Sequence, residues 1–306
     1  MQGLGWRWAF FINLPVGLYT IVAGRSALHE SSAPDTRIPA IAGVALIAVA
    51  AGLISYAVVG TDQVGWISAR TLGLFLAGGI AVALFVVHQR RSAAPVLDLE
   101  LFRIRNFVWA NLAMVVFGTA FSALFLGSIL FLTRVWGWSI LQAGFGVAPG
   151  PIVVGLISPR VGSLAGRIGQ RPLLLIGGAL YASSGAYRLL MLGPDPHYLV
   201  DYFPSMMLSG IGVGLVFPQL SSVVAQALPP NRRGVGGAAL QAARQFGGTF
   251  GVALTIALLA TATMAGFDRI WWLIVIGGLT TSALVLPLLT PATAQRPNRP
   301  TPEPIR

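Results

Sequence analysis

Two arginines inside long apolar runs, Arg188 and Arg244, have the widest chemical scope in this chain. A guanidinium in hydrocarbon is costly unless it reaches water or meets partners within the protein. Counting from Gly236, Arg244 lies about 12 Å into its run at 1.5 Å per residue. It either snorkels to the near edge of the membrane or faces the interior, pairing with helix-end carbonyls or a substrate. Arg188, close to the far end of its run, reads as a snorkeler. In residues 107–132, Asn111, Gly118 and Ser122 share one helical side at spacings of seven and four. Phe117, Phe121 and Phe125 run beside them at spacing four. Aromatic walls with a few polar anchors suit apolar cationic ligands. Lipid contact for the phenylalanines and a helix–helix hydrogen bond for Asn111 account for the same pattern. Gln219 stands next to Pro218, where a broken helix would expose carbonyls; that is tolerated where it lines a cavity.

The remaining chemistry is sparse. The nine acids, among them Asp98, Glu100, Asp195, Asp201 and Asp268, fall in loops, at run ends or in the tail. No acid is expected within a span, where a proton-coupled carrier normally keeps a titratable group. With no cysteine and three scattered histidines (His29, His88, His197), neither disulfide, thiol chemistry nor a metal site is expected. No nucleophile–base set and no phosphate loop can be assembled, so the chain is not expected to be an enzyme or to hold a cofactor. Gly210-x-Gly212-x-Gly214 sits in mid-run and reads as helix packing, not a nucleotide fingerprint.

The elements that must position these residues are membrane spans. Of 306 residues, 55% are hydrophobic and 9% charged, against about 25% charged in soluble domains. The net charge of +11 comes from arginines in short turns, so it reads as a topology signal and not as a nucleic-acid surface. The apolar runs predict an all-α polytopic bundle of about nine transmembrane helices, over 9–22, 38–59, 71–87, 107–132, 141–157, 172–192, 202–224, 236–260 and 270–289. Residues 201–262 form a hairpin of two spans around the basic turn at Arg232 and Arg233. Gly210 and Gly214 in one span, with Gly247, Gly248 and Gly251 in the other, are expected at close helix contacts. Placing the C-terminus in the cytoplasm puts fourteen arginines inside and four outside, with Arg188 and Arg244 within spans. Nine crossings then put the N-terminus outside. Trp6, Trp8, Trp66, Trp136, Trp138, Trp271 and Trp272 fall at the outer edge as interfacial rings. The proline-rich tail from Pro291 is too polar to pack.

One stretch is more specific than composition. Gly5-Trp6-Arg7-Trp8-Ala9-Phe10-Phe11-Ile12-Asn13-Leu14-Pro15-Val16-Gly17 resembles the signature opening the sixth helix of fourteen-helix drug:proton antiporters of the major facilitator superfamily. Pro149, Pro218 and Arg244-Gln245-x-Gly247-Gly248-x-x-Gly251 extend the resemblance, which covers residue 3 to about 289. It implies a partial major-facilitator fold: 1–28 as a remnant sixth helix, 29–106 as two linker helices and a cytoplasmic loop, 107–290 as a six-helix bundle and 291–306 as a disordered cytoplasmic tail. A weaker copy of the family's cytoplasmic loop runs from Gly162 to Arg171. Gly166 stands where the family carries aspartate, so Gly162, Arg167, Gly169 and Arg171 are left as a gating loop or as plain topology.

The resemblance implies a multi-pass cell-membrane transporter that exports small amphiphilic drugs by alternating access with proton coupling. Its partners would be the lipid bilayer, a small amphiphilic substrate and protons. The five helices that precede the signature in that family are not in this sequence. The chain is therefore expected not to transport alone, and to be a truncated gene, the product of a misplaced start codon, or one part of a split protein with a separate N-terminal half. The alternative is a non-transporting truncated relic or an assembly subunit needing a separate N-terminal half.

Overall fold

The computed structural model describes residues 11, 13–27, 41–60, 64–65, 67–92, 99–259 and 264–288. Most of the tryptophan signature (5–10 and 12), Trp66 and the tail from Pro291 lie outside them. By contacts the chain divides into two units, Met1–Ile38 and Pro39–Arg306.

The first unit contributes helix α1, Asn13–Ala27. Its Leu14, Leu18, Tyr19, Ile21 and Val22 are exposed, an apolar surface that suits lipid and not water. Its 15 described residues span about 22 Å.

The second unit begins with a packed pair, α2 (Ile41–Val59) and α3 (Ala69–Arg91), where Gly78 of α3 lets Ile54 of α2 approach. Ser68 starts α3 by accepting from the Thr71 amide at 3.2 Å. Leu72, Leu76, Ile80 and Leu84 form an exposed row along α3, the outward stripe expected of a helix facing lipid.

A short 3₁₀ turn (Leu99–Arg103) leads into α4 (Arg105–Arg134), which packs on four later helices. Its Phe107, Phe117, Phe131 and Leu132 are fully buried. Next come α5 (Ile140–Val147), started by a Ser139–Gln142 capping box, and α6 (Pro149–Ile168). Ala148 stays helical between them, its N–H donating to the Gly144 and Phe145 carbonyls. Pro149 sits at the first position of α6, where its missing N–H costs nothing, so the two form one continuous span. That span runs to Ile168, eleven residues beyond the expected end at 157.

The consequence reaches the expected gating loop. Gly162 and Arg167 lie inside α6, and the connection to α7 (Gln170–Met191) shrinks to Gly169. Gly169 has φ +87°, a left-handed conformation that glycine adopts without steric penalty. Arg171 is already in the first turn of α7.

A π-helical turn (Tyr198–Tyr202) precedes α8 (Phe203–Ala227), then come a 3₁₀ turn at Pro230–Arg232, α9 (Arg233–Leu258) and α10 (Met264–Val285). The main contacts are α4 with α9 and α10, α7 with α8 and α10, and α6 with α8. Backbones meet at small residues. A Cβ on Gly247 or Gly251 of α9 would run into the carbonyl oxygen of Val115 or Thr119 on α4. Gly210 of α8 meets the Gly150 carbonyl of α6, and Gly214 lies beside Ile157. Gly248 faces the Ser122 hydroxyl.

Seven helical segments among the described residues are long and apolar enough to cross a membrane, against nine expected. Two expected spans are not among the seven: the described part of the first, Asn13–Ala27, holds 15 residues, and α9 has the length but carries Arg233, Gln241, Arg244 and Gln245 among its glycines. Described helices are nonetheless found at each of the nine expected positions, and the chain is an all-α, multi-pass membrane protein.

Candidate functional site

A cavity of about 230 Å³ opens between α4, α5, α6, α8 and α9. Phe121, Leu124, Phe125 and Ser128 line it from α4, Pro151 and Val154 from α6, Met206, Ser209 and Phe217 from α8, and Arg244 from α9. The periodicity of α4 explains its contribution. Phe121, Leu124, Phe125 and Ser128 follow the three-and-four spacing that keeps residues on one helical face. On α8, Ser209 satisfies its own hydroxyl on the Met206 carbonyl at 3.0 Å, leaving an almost wholly apolar wall.

Arg244 is the charged group of this cavity. Its guanidinium lies 4.5 Å from the centre of the Phe217 ring, a cation–π contact between α9 and α8. Phe217 is itself held edge-on by Phe117 (5.1 Å) and Phe121 (5.3 Å). Both Phe217 and Arg244 also line a second cavity of about 110 Å³ toward the α8–α9 turn, with Arg233 and Gln241. The pair therefore stands between two spaces.

Arg188 does not snorkel. It is fully buried in the last turn of α7, where the helix dipole favours a cation. Its Nε donates to Ser205 Oγ at 3.0 Å and its Nη1 to Ser128 Oγ at 2.7 Å. The guanidinium is flanked by the Trp271 ring at 4.7 Å and the Tyr202 ring at 4.9 Å. Four helices, α4, α7, α8 and α10, thus converge on one charge, and no ion pair to it is found among the described residues. Snorkelling fails because a site of hydroxyls and aromatic faces is available inside. Trp271 belongs to this core and not to the interface, stacked near Phe267 and met edge-on by Phe131. Trp136 is also buried, donating its indole N–H to the Gly193 carbonyl at 3.0 Å, whereas Trp272 is exposed.

The other residues singled out in the sequence separate. Phe121 and Arg244 line the cavity, with Phe125 beside them. Phe117 lies behind the wall against Tyr181 at 4.7 Å. Gly118 and Ser122 face α9, at Arg244–Gly247 and Gly248–Gly251. Asn111 bonds within its own helix, donating Nδ2 to the Phe107 carbonyl at 2.8 Å. It borders a separate crevice of about 440 Å³ shared with Ile47, Phe85 and Phe102. Gln219 is buried, its Oε1 without a partner, and does not line the cavity. Sequence reasoning passed over Ser128, Met206 and Ser209. The spacing of seven from Phe121 to Ser128 was the available signal for the first, and nothing marked the other two. Among the described residues no three His, Asp or Glu converge as a metal site.

The described residues form a bundle with an apolar cavity and a cation at its edge. The chain is 32% identical over 256 residues to "Multidrug resistance protein Stp" of Mycobacterium tuberculosis, covering 84% of this chain and 47% of that protein. It is 30% identical over 264 residues to "Cephamycin export protein CmcT" of Amycolatopsis lactamdurans, covering 85% and 54%. With "Multidrug export protein EmrB" of Escherichia coli it shares 25% over 257 residues, covering 82% and 49%. The chain thus spans about half the length of the curated relatives it matches. The Major Facilitator Superfamily profile matches residues 1–252, and the chain belongs to that superfamily.

Proposed function

We propose that this chain forms the C-terminal part of a fourteen-helix-type drug:proton antiporter, exporting small amphiphilic compounds across the cell membrane by alternating access. The observation that carries this reading is the apolar cavity between α4, α6, α8 and α9, whose size and lining suit a small amphiphile. The names of the relatives, which speak of multidrug resistance and export, point the same way. Phe121 and Arg244 contact the compound in this proposal. Phe117 supports Phe217 from behind, and Gln219, Asn111 and Ser122 act through helix packing. Gly169, with Gly162, Arg167 and Arg171 about it, makes the short α6–α7 connection around which the bundle rocks. The α8–α9 turn and the C-terminus face the cytoplasm, by the excess of arginines on that side.

Transport in this reading also engages N-terminal helices that this sequence does not hold, in the same chain or a separate one; the chain matches about half the length of its relatives. Protons are the coupling ion by family likeness, with the titratable group outside this bundle.

The test uses the absence of native cysteine. A single Val154→Cys on the cavity wall is alkylated by N-ethylmaleimide in membranes, with and without the neutral amphiphile Nile red. Saturating dye is expected to slow alkylation several-fold, while a Cys at exposed Ile176 on α7 reacts equally with or without it. Equal rates at Val154→Cys would overturn the cavity as a binding site.

A further inference from the structure

The charges around the cavity are of one sign. Arg244 lines it directly, and Ser128, also in its wall, accepts the Nη1 hydrogen bond of Arg188 at 2.7 Å. A second positive charge thus lies one hydroxyl behind the surface. The adjoining space toward the α8–α9 turn adds Arg233. Among the described residues no carboxylate lines either space. The four described acids lie elsewhere: Glu100 pairs with Arg232 at 3.3 Å, Asp201 with His197 at 3.5 Å, Asp195 is exposed between α7 and the π-helical turn, and Asp268 is exposed in the first part of α10.

The aromatic faces carry the argument further. A cationic ligand without a carboxylate partner would be held by ring faces. Of the three rings that line the cavity, Phe217 already carries Arg244, while Tyr202 and Trp271, which carry Arg188, are not part of the lining. A cation entering the cavity would have to displace Arg244 from Phe217 or settle on Phe121 or Phe125, and in either place it meets the Arg244 charge in a poorly screened apolar space. An anion would meet a guanidinium already positioned and would keep the apolar wall for its body.

Resting on the reading of this cavity as the drug site, we infer that its ligands are amphiphilic anions. The negative group is held at Arg244, with Arg188 supplying a fixed positive field through Ser128, and the apolar body lies against Phe121, Leu124, Phe125 and Met206. This reverses the cationic preference that the phenylalanine spacing alone suggests.

Tetraphenylborate and tetraphenylphosphonium test this, being alike in shape and opposite in charge. Each is titrated against N-ethylmaleimide alkylation of Val154→Cys in membranes, in the otherwise native chain and with Arg244→Gln or Arg244→Lys added. Comparing the ratio of the two half-protecting concentrations between proteins cancels the unequal partitioning of the ions into lipid. Arg244→Gln is expected to shift that ratio toward the cation by about tenfold or more, and Arg244→Lys to leave it within about threefold. An alkylation rate of Val154→Cys without ligand that matches that of the otherwise native chain shows that the cavity has survived Arg244→Gln. If that rate holds and the ratio does not move in Arg244→Gln, the anion assignment is wrong while the cavity stands. If none of the three compounds protects the otherwise native chain, the cavity is not a binding site and both readings fall. Should Arg244→Gln alter the rate without ligand, Arg244→Met in its place keeps side-chain bulk, and the same ratio decides.

Discussion

Arg188 on α7 donates to Ser128 on α4 at 2.7 Å, and that single hydrogen bond joins the wall of the cavity to a charge buried at the meeting of four helices. Ser128 donates its own O–H to the Leu124 carbonyl at 2.5 Å, so the hydroxyl is satisfied on both sides. Removing the guanidinium frees two serines and two ring faces at once. Arg188→Ala is expected to destabilise the detergent-solubilised protein by about 2–4 kcal/mol, from lost packing volume and two lost cation–π contacts. Arg188→Met, which keeps most of the volume and carries no charge to desolvate, is expected to recover at least half of that. Thermal unfolding followed by circular dichroism reads both. A larger loss for Met than for Ala would contradict the packing account.

Helix α9 is positioned by glycines that admit no side chain. Gly251→Ala places a methyl against the Thr119 carbonyl of α4, where backbone cannot move aside cheaply. The expected cost is about 1–3 kcal/mol, as for overpacking in a tight core. Gly237, with open space around its Cβ position, is the control. Gly237→Ala is expected to leave stability unchanged or raise it by a few tenths of a kcal/mol through helix propensity. Equal melting shifts for the two variants would remove α4–α9 contact as the reason for these glycines.

Gln219 separates packing from ligand contact. Its Oε1 is buried without a partner, and the side chain does not reach the cavity. A buried acceptor left unpaired costs about 1–3 kcal/mol, so Gln219→Met is expected to be neutral or stabilising. Protection of Val154→Cys by Nile red is expected to be unaltered in the same variant. A marked loss of protection with unchanged melting would instead assign Gln219 to the ligand.

How much of this was legible beforehand follows from the kind of signal each residue leaves. Long apolar runs announce helices, because lipid demands internally satisfied backbones, and described helices lie at all nine expected positions. Helix ends were less legible. The span expected to stop at 157 continues to Ile168, since Arg160 and Gly162 looked like a loop and are helical. There Arg160 donates back to the Leu156 carbonyl at 2.9 Å. Arg188 was misread for a deeper reason. Its position near a run end is compatible with either snorkelling or burial. The partners that decide it, Ser128, Ser205, Tyr202 and Trp271, are 14 to 83 positions away in sequence. The cavity has the same character. Phe121 and Arg244 were nameable from local pattern, whereas Met206 and Ser209 line it only because α8 crosses α4 and α6 at that height.

Orientation rests on arginine count, and the turns at opposite ends of the bundle permit a direct measurement. Ser139 begins α5 after the α4 turn, and Asn231 lies in the 3₁₀ turn between α8 and α9; both are exposed. The two sites are separated by an odd number of crossings, one through α5–α6, one through α7 and one through α8. They must therefore lie on opposite faces of the membrane. The Asn231 turn holds Arg232 and Arg233, and Arg232 pairs with Glu100 at 3.3 Å, an exposed contact too weak to offset the positive-inside preference. With native cysteine absent, single Ser139→Cys and Asn231→Cys chains give clean signals. A membrane-impermeant maleimide added to intact cells is expected to label Ser139→Cys, and to label Asn231→Cys only after permeabilisation. The reverse pattern would invert the bundle, and labelling of both from outside would break the succession of crossings itself.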